Sequence, residues 1–365
     1  MSMEEKSVLI AMSGGVDSTV AACLLQRDGW RCQGANMHLQ GDAGPGPDGR
    51  EACGAQRDAE DAAAAAAMLG MPFEVLDLAG VFQREVIDKF IRVYQEGGTP
   101  NPCIDCNRRL KFGYFLQAAE ARGLRSMATG HYARVAYDPE RGRWLLRKAL
   151  DASRDQSYVL YMLTQEQLAR LQLPLGELTK GQVREIAEKE GFVNARKHDS
   201  QDICFVPDGD YAAFIQRQTG APLPPGDFLD LEGRTVGRHR GAVRYTLGQR
   251  KGLGLAMGAP VYVCGKDMRA NTVTVGPEAA LYSRRVRVED LNWIAIDGLT
   301  GPLRVKAKTR YRQAEQWAEL RPAEGGVLLE FDQPQRAVTP GQAAVFYDGD
   351  AVVGGGTITA AGNDL

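Results

Sequence analysis

The sequence has little that would place the protein outside the cell or in a membrane. It contains seven cysteines in 365 residues, an odd number that does not suggest a disulfide framework. The N-terminus is short and polar, and the apolar run after it ends at Met12, which indicates neither a signal peptide nor a membrane span. We therefore expect a cytoplasmic monomer with no membrane partner, whose clustered cysteines do chemistry or bind metal.

An excess of charge of one sign is also absent. Lys and Arg total 44 and Asp and Glu total 46, so any argument for a nucleic-acid partner must rest on local charge. Residues 233–266 contain seven cations and no acid, and every even position in residues 304–312 is basic. On a strand, this alternation would put five cations on one face. A solvated edge strand is the alternative, but two such segments favour a polyanionic partner.

Strand-like and helix-like segments alternate over the first two hundred residues. Residues 8–12 read as a buried parallel strand, residues 16–27 as a helix, and residues 179–190 as a capped helix that closes the region. This alternation predicts an α/β fold with a doubly wound parallel sheet. From about Pro222, short β-type runs with Gly and Pro turns take over. We predict a catalytic domain over residues 1–207, a small, mostly β domain over residues 208–282, and a C-terminal β-barrel-like domain over residues 283–365.

The first strand and the first helix are joined by Ser-Gly-Gly-Val-Asp-Ser at residues 13–18. Gly14 and Gly15 can adopt positive φ and expose N–H groups to an anion, and the helix N-terminus adds partial positive charge. Asp17 is placed to hold Mg²⁺. The loop lacks the Gly-Lys-Ser/Thr ending of a Walker A loop and the Gly-x-Gly-x-x-Gly pattern. A plain tight turn is the alternative, but hydroxyls and a carboxylate in the same turn favour a phosphate-binding loop.

Two segments contain cysteines whose sequence context suggests more than a structural role. Residues 101–107, Asn-Pro-Cys-Ile-Asp-Cys-Asn, precede a helix with Arg108, Arg109 and Lys111, and a thiol at a helix N-terminus beside cations has a lowered pKa. We therefore expect Cys106 to be partly thiolate rather than buried and inert. Cys204, in residues 199–206, is equally consistent with an ordinary buried strand. The other cysteines are expected to be structural: Cys23, Cys32, Cys53 and Cys264.

Taken together, these segments resemble the tRNA-uridine 2-sulfurtransferases, also called tRNA 2-thiouridylases, whose nucleotide loop is the PP-loop of ATP pyrophosphatases. The matching segments follow the family's order over nearly the whole chain: residues 11–18, 34–38, 99–112, 128–134, 154–160, 200–206, 245–252 and 310–313. Many ATP pyrophosphatases share the first segment. The asparagine–proline cysteine loop together with Ser-Gln-Asp-Ile-Cys-Phe is far more selective.

The resemblance implies a reaction in which ATP adenylates the C2 oxygen of the wobble uridine of tRNA and sulfur then replaces that oxygen. Cys204 would carry a persulfide received from a sulfur-donor protein, and Cys106 would be the partner thiol, leaving a Cys106–Cys204 disulfide that needs reduction. Alternatively, Cys103, Cys106 and Cys204 would supply three thiolates to an iron–sulfur cluster. Relatives often have Asp where this chain has Cys103. An amidating ligase for a small metabolite and a non-catalytic RNA- or iron–sulfur-binding protein are the rival functions.

The resemblance also implies two sets of binding residues, with Asp17 counted as catalytic beside the two cysteines. ATP and Mg²⁺ would be held by Ala11, Met12, Ser13, Gly14, Gly15, Val16, Asp17, Ser18, Met37 and Gly130. Contacts to tRNA would come from Asn101, Pro102, Cys103, His131, Arg154, Asp155, Gln156, Arg310, Tyr311 and Gln342. Core packing is the alternative for Met37, a turn at a strand end is the alternative for Gly130, and a satisfied loop histidine is the alternative for His131.

Overall fold

A computed structural model describes residues 6–39, 53–197, 203–363 and 365. The strands of this part of the chain form three sheets. In chain order they are β1 (Ser7–Ala11), β2 (Arg31–His38), β3 (Phe73–Asp77), β4 (Ser126–Ala128), β5 (Ala133–Asp138), β6 (Arg143–Lys148), β7 (Leu171–Gln172), β8 (Gly226–Leu229), β9 (Thr235–His239), β10 (Tyr262–Asp267), β11 (Thr272–Gly276), β12 (Tyr282–Trp293), β13 (Leu303–Lys308), β14 (Gln316–Ala323), β15 (Gly326–Arg336), β16 (Ala343–Asp348) and β17 (Ala351–Gly362).

The helices lie mainly in the first half of the chain. They are α1 (Val16–Arg27), α2 (Cys53–Met68), α3 (Ala79–Phe82), α4 (Asp88–Gln95), α5 (Pro102–Asp105), α6 (Phe115–Ala121), α7 (Gln165–Ala169), α8 (Lys180–Lys189) and α9 (Tyr211–Thr219). Two π-helical segments, Gln83–Ile87 and Cys106–Tyr114, continue α3 into α4 and α5 into α6. Short 3₁₀ turns occupy Ser157–Leu160, Ala242–Arg244 and Glu278–Leu281. Within the described residues, no helix is both long and apolar enough to cross a membrane.

The first sheet is parallel throughout and has the strand order β3-β2-β1-β4-β7. Both of its faces are covered. Val8 and Ile10 of β1 belong to a buried cluster with Ala62 and Ala65 of α2. Leu9, which points to the opposite face because side chains alternate along a strand, clusters with residues of α6. The predicted doubly wound α/β sheet is confirmed. Burial of each such aliphatic side chain contributes roughly 1.5–3 kcal/mol.

Two β structures follow the parallel sheet. A four-stranded sheet of order β10-β11-β8-β9 packs around Phe228, Val263 and Val273, which are all fully buried. Six strands in the order β12-β15-β14-β13-β16-β17 then form a barrel, which the pairing of β12 with β17 closes. The predicted C-terminal barrel is therefore confirmed, and closure removes the exposed strand edges of an open sheet.

A hairpin from the first half of the chain extends the barrel sheet. Strands β5 and β6 pair with each other, and Arg147 of β6 pairs with Ala351 of β17. The Asp350 carboxylate accepts hydrogen bonds from Arg134 at 2.7 Å and from Arg147 at 2.8 Å. The sequence analysis did not predict this hairpin, because its barrel partner lies some two hundred residues further along the chain.

The strand predicted to present five cations is shorter than expected. Strand β13 ends at Lys308, because Gln313 accepts hydrogen bonds from the backbone N–H (3.0 Å) and the hydroxyl (2.7 Å) of Thr309 and so closes a turn. Arg310 lies beyond the strand and is partly buried, with its guanidinium donating to the carbonyl of Ala337 at 2.6 Å. The prediction of one continuous cationic face is therefore wrong after Lys308.

A buried tyrosine allows the contact between the parallel-sheet region and the barrel to be tested. Tyr158 is fully buried, and its hydroxyl donates to the Ala343 carbonyl of β16 at 2.8 Å. We expect Tyr158→Phe to lower the free energy of unfolding by about 1–2 kcal/mol, because it removes a buried hydrogen bond without leaving a large cavity. Urea denaturation would measure this, with Tyr137→Phe, whose residue is 52% exposed, as the matched control. Equal stability of the two variants would contradict the expected coupling.

Candidate active site at the edge of the parallel sheet

The loop after β1 is a backbone turn that only glycine can form at its centre. Gly14 has φ +73°, and a Cβ there would lie 2.2 Å from the Asp58 carbonyl oxygen. The Ser18 hydroxyl donates to the Gly15 carbonyl at 3.0 Å and accepts from the Ser13 N–H at 3.2 Å. The N–H groups of the first turn of α1 have no partner within the helix, so this end of the sheet offers a cradle for an anion.

Two side chains from residues 194–197 hold this loop in place. Asn194 is buried and donates to the Gly14 carbonyl at 3.1 Å and to the Thr19 hydroxyl at 2.9 Å. The Lys197 ammonium lies 2.7 Å from Asp58 and 2.5 Å from Asp61 on α2. Sequence reasoning missed both residues, because no local pattern connects them to a loop 180 positions earlier.

Asp17 in the first turn of α1 makes a nearly enclosed ion pair. Each of its carboxylate oxygens lies 2.8 Å from the Lys180 ammonium, and the Tyr132 hydroxyl donates to one of them at 2.7 Å. The Lys180 side chain is only 9% exposed. The capping box of Thr179 and Gln182 begins α8 at this point and so positions Lys180. Lys180 therefore already neutralises this carboxylate, which remains 28% exposed, and Mg²⁺ bound there would share it with Lys180.

Residues 129–132 connect this loop to the cysteine helix. A Cβ on Gly130 would lie 2.8 Å from backbone atoms of Asp17 and Ser18, so a larger residue would push the two loops apart. His131 hydrogen-bonds to the Thr129 hydroxyl at 2.7 Å, and its ring lies 5.8 Å from that of Phe112. Strands β1 and β4 are neighbours whose connections leave in opposite directions, and such a switch point is where α/β sheets form ligand crevices.

The cysteine segment forms the start of a long, partly π-helical stretch. Asn101 is the N-cap of α5, Pro102 is at its first turn, and Cys106 begins the π-helical part. Cys103 is exposed, whereas Cys106 is 9% exposed. Cys204 is exposed in a turn, which rules out the buried strand considered for it. Phe205 and Val206 anchor Cys204, because they share a buried cluster with Cys106.

The environment of the thiols does not match the expected thiolate. Protein packed around the sulfur atoms raises the pKa of Cys103 and Cys204, although both residues keep exposed surface, and burial raises the pKa of Cys106 to about 11. The expectation of a partly ionised Cys106 is therefore wrong. The two arginines on this helix pair elsewhere, Arg108 with Asp290 at 2.7 Å and Arg109 with Glu85 at 3.6 Å.

Lys111 is the cation that acts on all three thiols. Its positive charge lowers the pKa of Cys103, Cys106 and Cys204, against the larger effect of burial. It has the same effect on His131, whose pKa burial already holds well below 6.5, so that this imidazole is neutral. In a π-helix residue i+5 bonds back to residue i, which places Lys111 one turn from Cys106.

The residues expected to contact tRNA are partly brought together. The Tyr311 ring lies 5.9 Å from the ring of Tyr158. Tyr311 is also close enough to Cys103 and Arg154 for their charges to act on its pKa. Gln342 donates to the carbonyls of Thr99 (2.8 Å) and Pro100 (3.2 Å), and so ties the loop before Asn101 to the barrel.

Other members of this set make internal bonds. The Asp155 carboxylate accepts from the N–H groups of Ala149 and Ser157, and the side-chain amide oxygen of Gln156 accepts from the backbone N–H of Tyr132. His131 and Arg310 are likewise occupied by protein partners.

Some residues expected to bind ATP are buried and could contact a ligand only through main-chain atoms. Other residues named in the sequence analysis lie outside the described part of the chain. Ala11, Met12 and Val16 are buried, so any contact they make with a ligand would be through main-chain atoms. Met37 is partly buried and packs against the core, as its alternative reading held. Cys23 and Cys32 are buried and Cys264 is half-buried. Residues 200–202 and the side chain of Cys53 are outside the described part.

Comparisons with known proteins agree with this architecture. Family models match residues 6–208 (tRNA methyl transferase HUP domain), 212–277 (tRNA methyl transferase PRC-barrel domain) and 283–358 (aminomethyltransferase beta-barrel domain). The fold and its matched models define a tRNA-modification enzyme with an α/β HUP domain and two β domains.

Individual relatives are more specific. The tRNA-specific 2-thiouridylase MnmA of Moorella thermoacetica is 51% identical over 351 residues, which are 96% of this chain and 98% of the relative. The protein of the same name from Acetivibrio thermocellus is 48% identical over 358 residues, 98% of this chain and 100% of the relative. The chain belongs to the tRNA-specific 2-thiouridylase family. Among solved structures, a 4-thiouridine synthetase–RNA complex with bound ATP has a TM-score of 0.34 at 16% identity, covers 59% of this chain and 50% of that one, and is too distant to support an argument.

The glycine requirement in the loop can be tested with a matched pair. We expect Gly14→Ala to abolish ATP binding, because the new Cβ would meet the Asp58 carbonyl at 2.2 Å and force the loop open. Gly29 also has positive φ, +78°, but a Cβ there meets nothing within 4 Å. Gly29→Ala should therefore cost only about 1–2 kcal/mol of backbone strain and keep ATP affinity. Isothermal titration of both variants with ATP measures the difference, and equal affinities would contradict the role of Gly14.

The effect of Lys111 on the thiols can be tested through their reactivity. Removal of a positive charge disfavours the thiolate, so Lys111→Gln should move the pH profile of Cys204 alkylation to higher pH. At pH 8 the alkylation rate, followed by mass spectrometry of the Cys204 peptide, should fall several-fold, and Lys111→Arg should restore it. Lys189→Gln, at the exposed end of α8, is the control. Superimposable pH profiles for Lys111→Gln and the control would refute the assignment.

Proposed function

We propose that this protein catalyses the ATP-dependent 2-thiolation of the wobble uridine of tRNA. The observation that supports this most directly is that Gly130 and His131 connect the loop after β1 to the helix that carries Cys103 and Cys106, at one edge of the parallel sheet. A nucleotide loop beside thiols suits a reaction that activates an oxygen and replaces it with sulfur. The relatives at 51% and 48% identity, both tRNA-specific 2-thiouridylases, support the same function.

ATP would lie across the carboxyl end of β1. Its phosphates would meet the N–H groups at the start of α1 and the hydroxyls of Ser13 and Ser18. Met37 and Gly130 would flank the adenosine. Lys180 would neutralise Asp17 until nucleotide binds, and Asp17 would then help to hold Mg²⁺ beside the phosphates of ATP.

The first chemical step would create a leaving group. The uridine C2 oxygen attacks the α-phosphorus of ATP, an O–P bond forms, and pyrophosphate departs. An amide-like carbonyl is a poor electrophile, and adenylation changes its oxygen into part of AMP. The low-dielectric surroundings of the neutral His131 imidazole would exclude the water that could otherwise hydrolyse the adenylate.

The second step would transfer sulfur. A Cys204 persulfide, supplied by a separate sulfur-donor protein, attacks C2 with its terminal sulfur, and AMP leaves with the former C2 oxygen. The Cys106 thiol gives up its proton and attacks Sγ of Cys204, which breaks the persulfide S–S bond and leaves the outer sulfur on C2. The resulting Cys106–Cys204 disulfide takes two electrons from an external thiol reductant before the next turnover. Lys111 would stabilise the thiolates that form.

The tRNA would be held between the α/β domain and the barrel. Asn101, Pro102 and Cys103 would face the flipped-out base, with Tyr311 and the other expected contacts around it. Gln342 supports this arrangement indirectly, because its bonds to Thr99 and Pro100 fix the loop in front of Asn101. The protein would act as a cytoplasmic monomer, with a catalytic domain over residues 1–207, a small β domain over residues 208–282 and a C-terminal β domain over residues 283–365.

The iron–sulfur alternative has less support. Over residues 6–39, 53–197, 203–363 and 365, no group of three His, Cys, Asp or Glu side chains is arranged to hold a metal ion. A cluster would be held by the thiolates of Cys103, Cys106 and Cys204, whose charges act on one another, and it would supply an iron site for sulfide. Anaerobic purification with iron and acid-labile sulfide analysis would test this, since stoichiometric iron and sulfide would favour the cluster route.

The function is tested by mass spectrometry of nucleosides from tRNA incubated with the enzyme, ATP and a persulfide donor. Wild-type protein should replace one oxygen by sulfur in the wobble uridine, and only with ATP present. Cys204→Ser should lose this product by at least about a hundred-fold because it lacks the carrier thiol. Cys264→Ser is the control. It changes a half-buried cysteine of β10 and should retain full activity. A methylated product would instead support the methyl-transfer description of the matched family model. Full activity of Cys204→Ser would refute the persulfide route.

A further inference from the structure

A charged pocket lies on the back of the cysteine helix, away from the thiols. Its volume is about 290 Å³, room for a phosphate group and several waters at roughly 30 Å³ each. Every lining side chain is charged. The lining consists of five cations, Arg84, Lys89, Arg92, Arg108 and Arg109, and two carboxylates, Glu85 and Asp105.

Both walls of the pocket are shaped by π-helical turns. On one wall, Arg84 and Lys89 are five residues apart across Gln83–Ile87, and the i+5 repeat of a π-helix brings them into line. Arg92 follows one α-helical turn later on α4. On the other wall, Arg108 and Arg109 lie two and three positions after Cys106, which turns them to the opposite side of the helix.

The pocket keeps a positive charge after its internal pairs are counted. Lys89 pairs with Asp105 at 2.6 Å, and Arg109 lies 3.6 Å from Glu85. Arg108 pairs with Asp290 of β12 at 2.7 Å. Among the residues that the structure describes, no carboxylate lies within ion-pair distance of Arg84 or Arg92. Two exposed guanidinium groups are thus available to an anion.

We propose that this pocket binds a backbone phosphate of the tRNA beside the target nucleotide, an inference that rests on the proposed function. Guanidinium groups bind phosphate oxygens with two parallel hydrogen bonds, a geometry that suits a pocket made mostly of arginine. An α-helix with its side chains is only about 10–12 Å across, and Asp105, which precedes Cys106 in the chain, lines the pocket. A strand that delivers its base to the thiols therefore passes within reach of the arginines.

The composition of the lining favours RNA over a protein partner. Protein interfaces depend on apolar and aromatic anchors at their centre, and this pocket has none. A phosphodiester backbone needs only cations and hydrogen-bond donors. An acidic sulfur-donor protein is the competing occupant, and the experiment below separates the two.

Charge reversal of the two unpaired arginines tests the proposal. Arg84→Glu with Arg92→Glu should weaken tRNA binding at least about ten-fold at physiological salt, and should lower the slope of log Kd against log salt by about 1–2. The control, Arg27→Glu with Arg217→Glu, makes the same total charge change on exposed residues at the ends of α1 and α9. ATP affinity should be unchanged in both. Equal tRNA affinity of the two double variants at every salt concentration would overturn the proposal.

Two further measurements distinguish a tRNA phosphate from a free anion and from a sulfur-donor protein as the occupant of the pocket. If Arg84→Glu/Arg92→Glu lost pyrophosphate binding but bound tRNA normally, the pocket would be a site for a free anion. That result would overturn the proposal. Normal tRNA binding with slow thiolation from a protein persulfide donor, but not from a small-molecule persulfide, would overturn it in favour of donor docking. The milder Arg84→Gln/Arg92→Gln variant should give an intermediate loss of tRNA affinity. Failure of the wild-type protein to thiolate tRNA would instead count against the proposed function itself.

Discussion

The site depends on the close backbone approach between Gly130 and the first turn of α1. The loops after β1 and β4 leave neighbouring strands in opposite directions, and they can touch only because Gly130 has no side chain: a Cβ would stand 2.8 Å from Asp17 and Ser18. This contact sets Tyr132 against Asp17 on one side and His131 against Phe112 on the other. The loop after β1 and the thiols are thereby held near one edge of the sheet, which is the arrangement that the proposed activation and sulfur transfer would need.

Within that crevice, burial and charge oppose each other at the cysteines. Burial raises the pKa of Cys106 to about 11 and keeps His131 neutral, while Lys111 favours the thiolate at all three cysteines. The thiols are consequently protonated at neutral pH in the absence of substrates. A nucleophile that ionises only as its electrophile forms is protected from oxidation and from unproductive alkylation. The same burial would exclude water from the space in which the adenylate forms and so would protect it from hydrolysis.

The barrel takes part in the site although it lies at the other end of the chain. Gln342 fixes the carbonyls of Thr99 and Pro100, and Tyr158 bonds to the carbonyl of Ala343. The β5–β6 hairpin adds to the barrel sheet, where Asp350 pairs with Arg134 and Arg147. The loop before Asn101 is therefore supported by the barrel as well as by the α/β domain, which gives a physical reason for the parallel sheet to carry a large β structure.

The sequence by itself determined the alternation of strands and helices, the glycine loop, the two cysteine segments and the change to β structure, because each is a local pattern set by side-chain period or turn chemistry. It did not reveal Lys180, Asn194 or Lys197, the hairpin on the barrel, or the inward turn of Arg310. It also led to the wrong ionisation state for Cys106. These features arise from contacts between segments separated by tens to hundreds of residues, and burial is a property of the packed chain. Only the tertiary structure could decide which cations face the thiols and which face the pocket behind them.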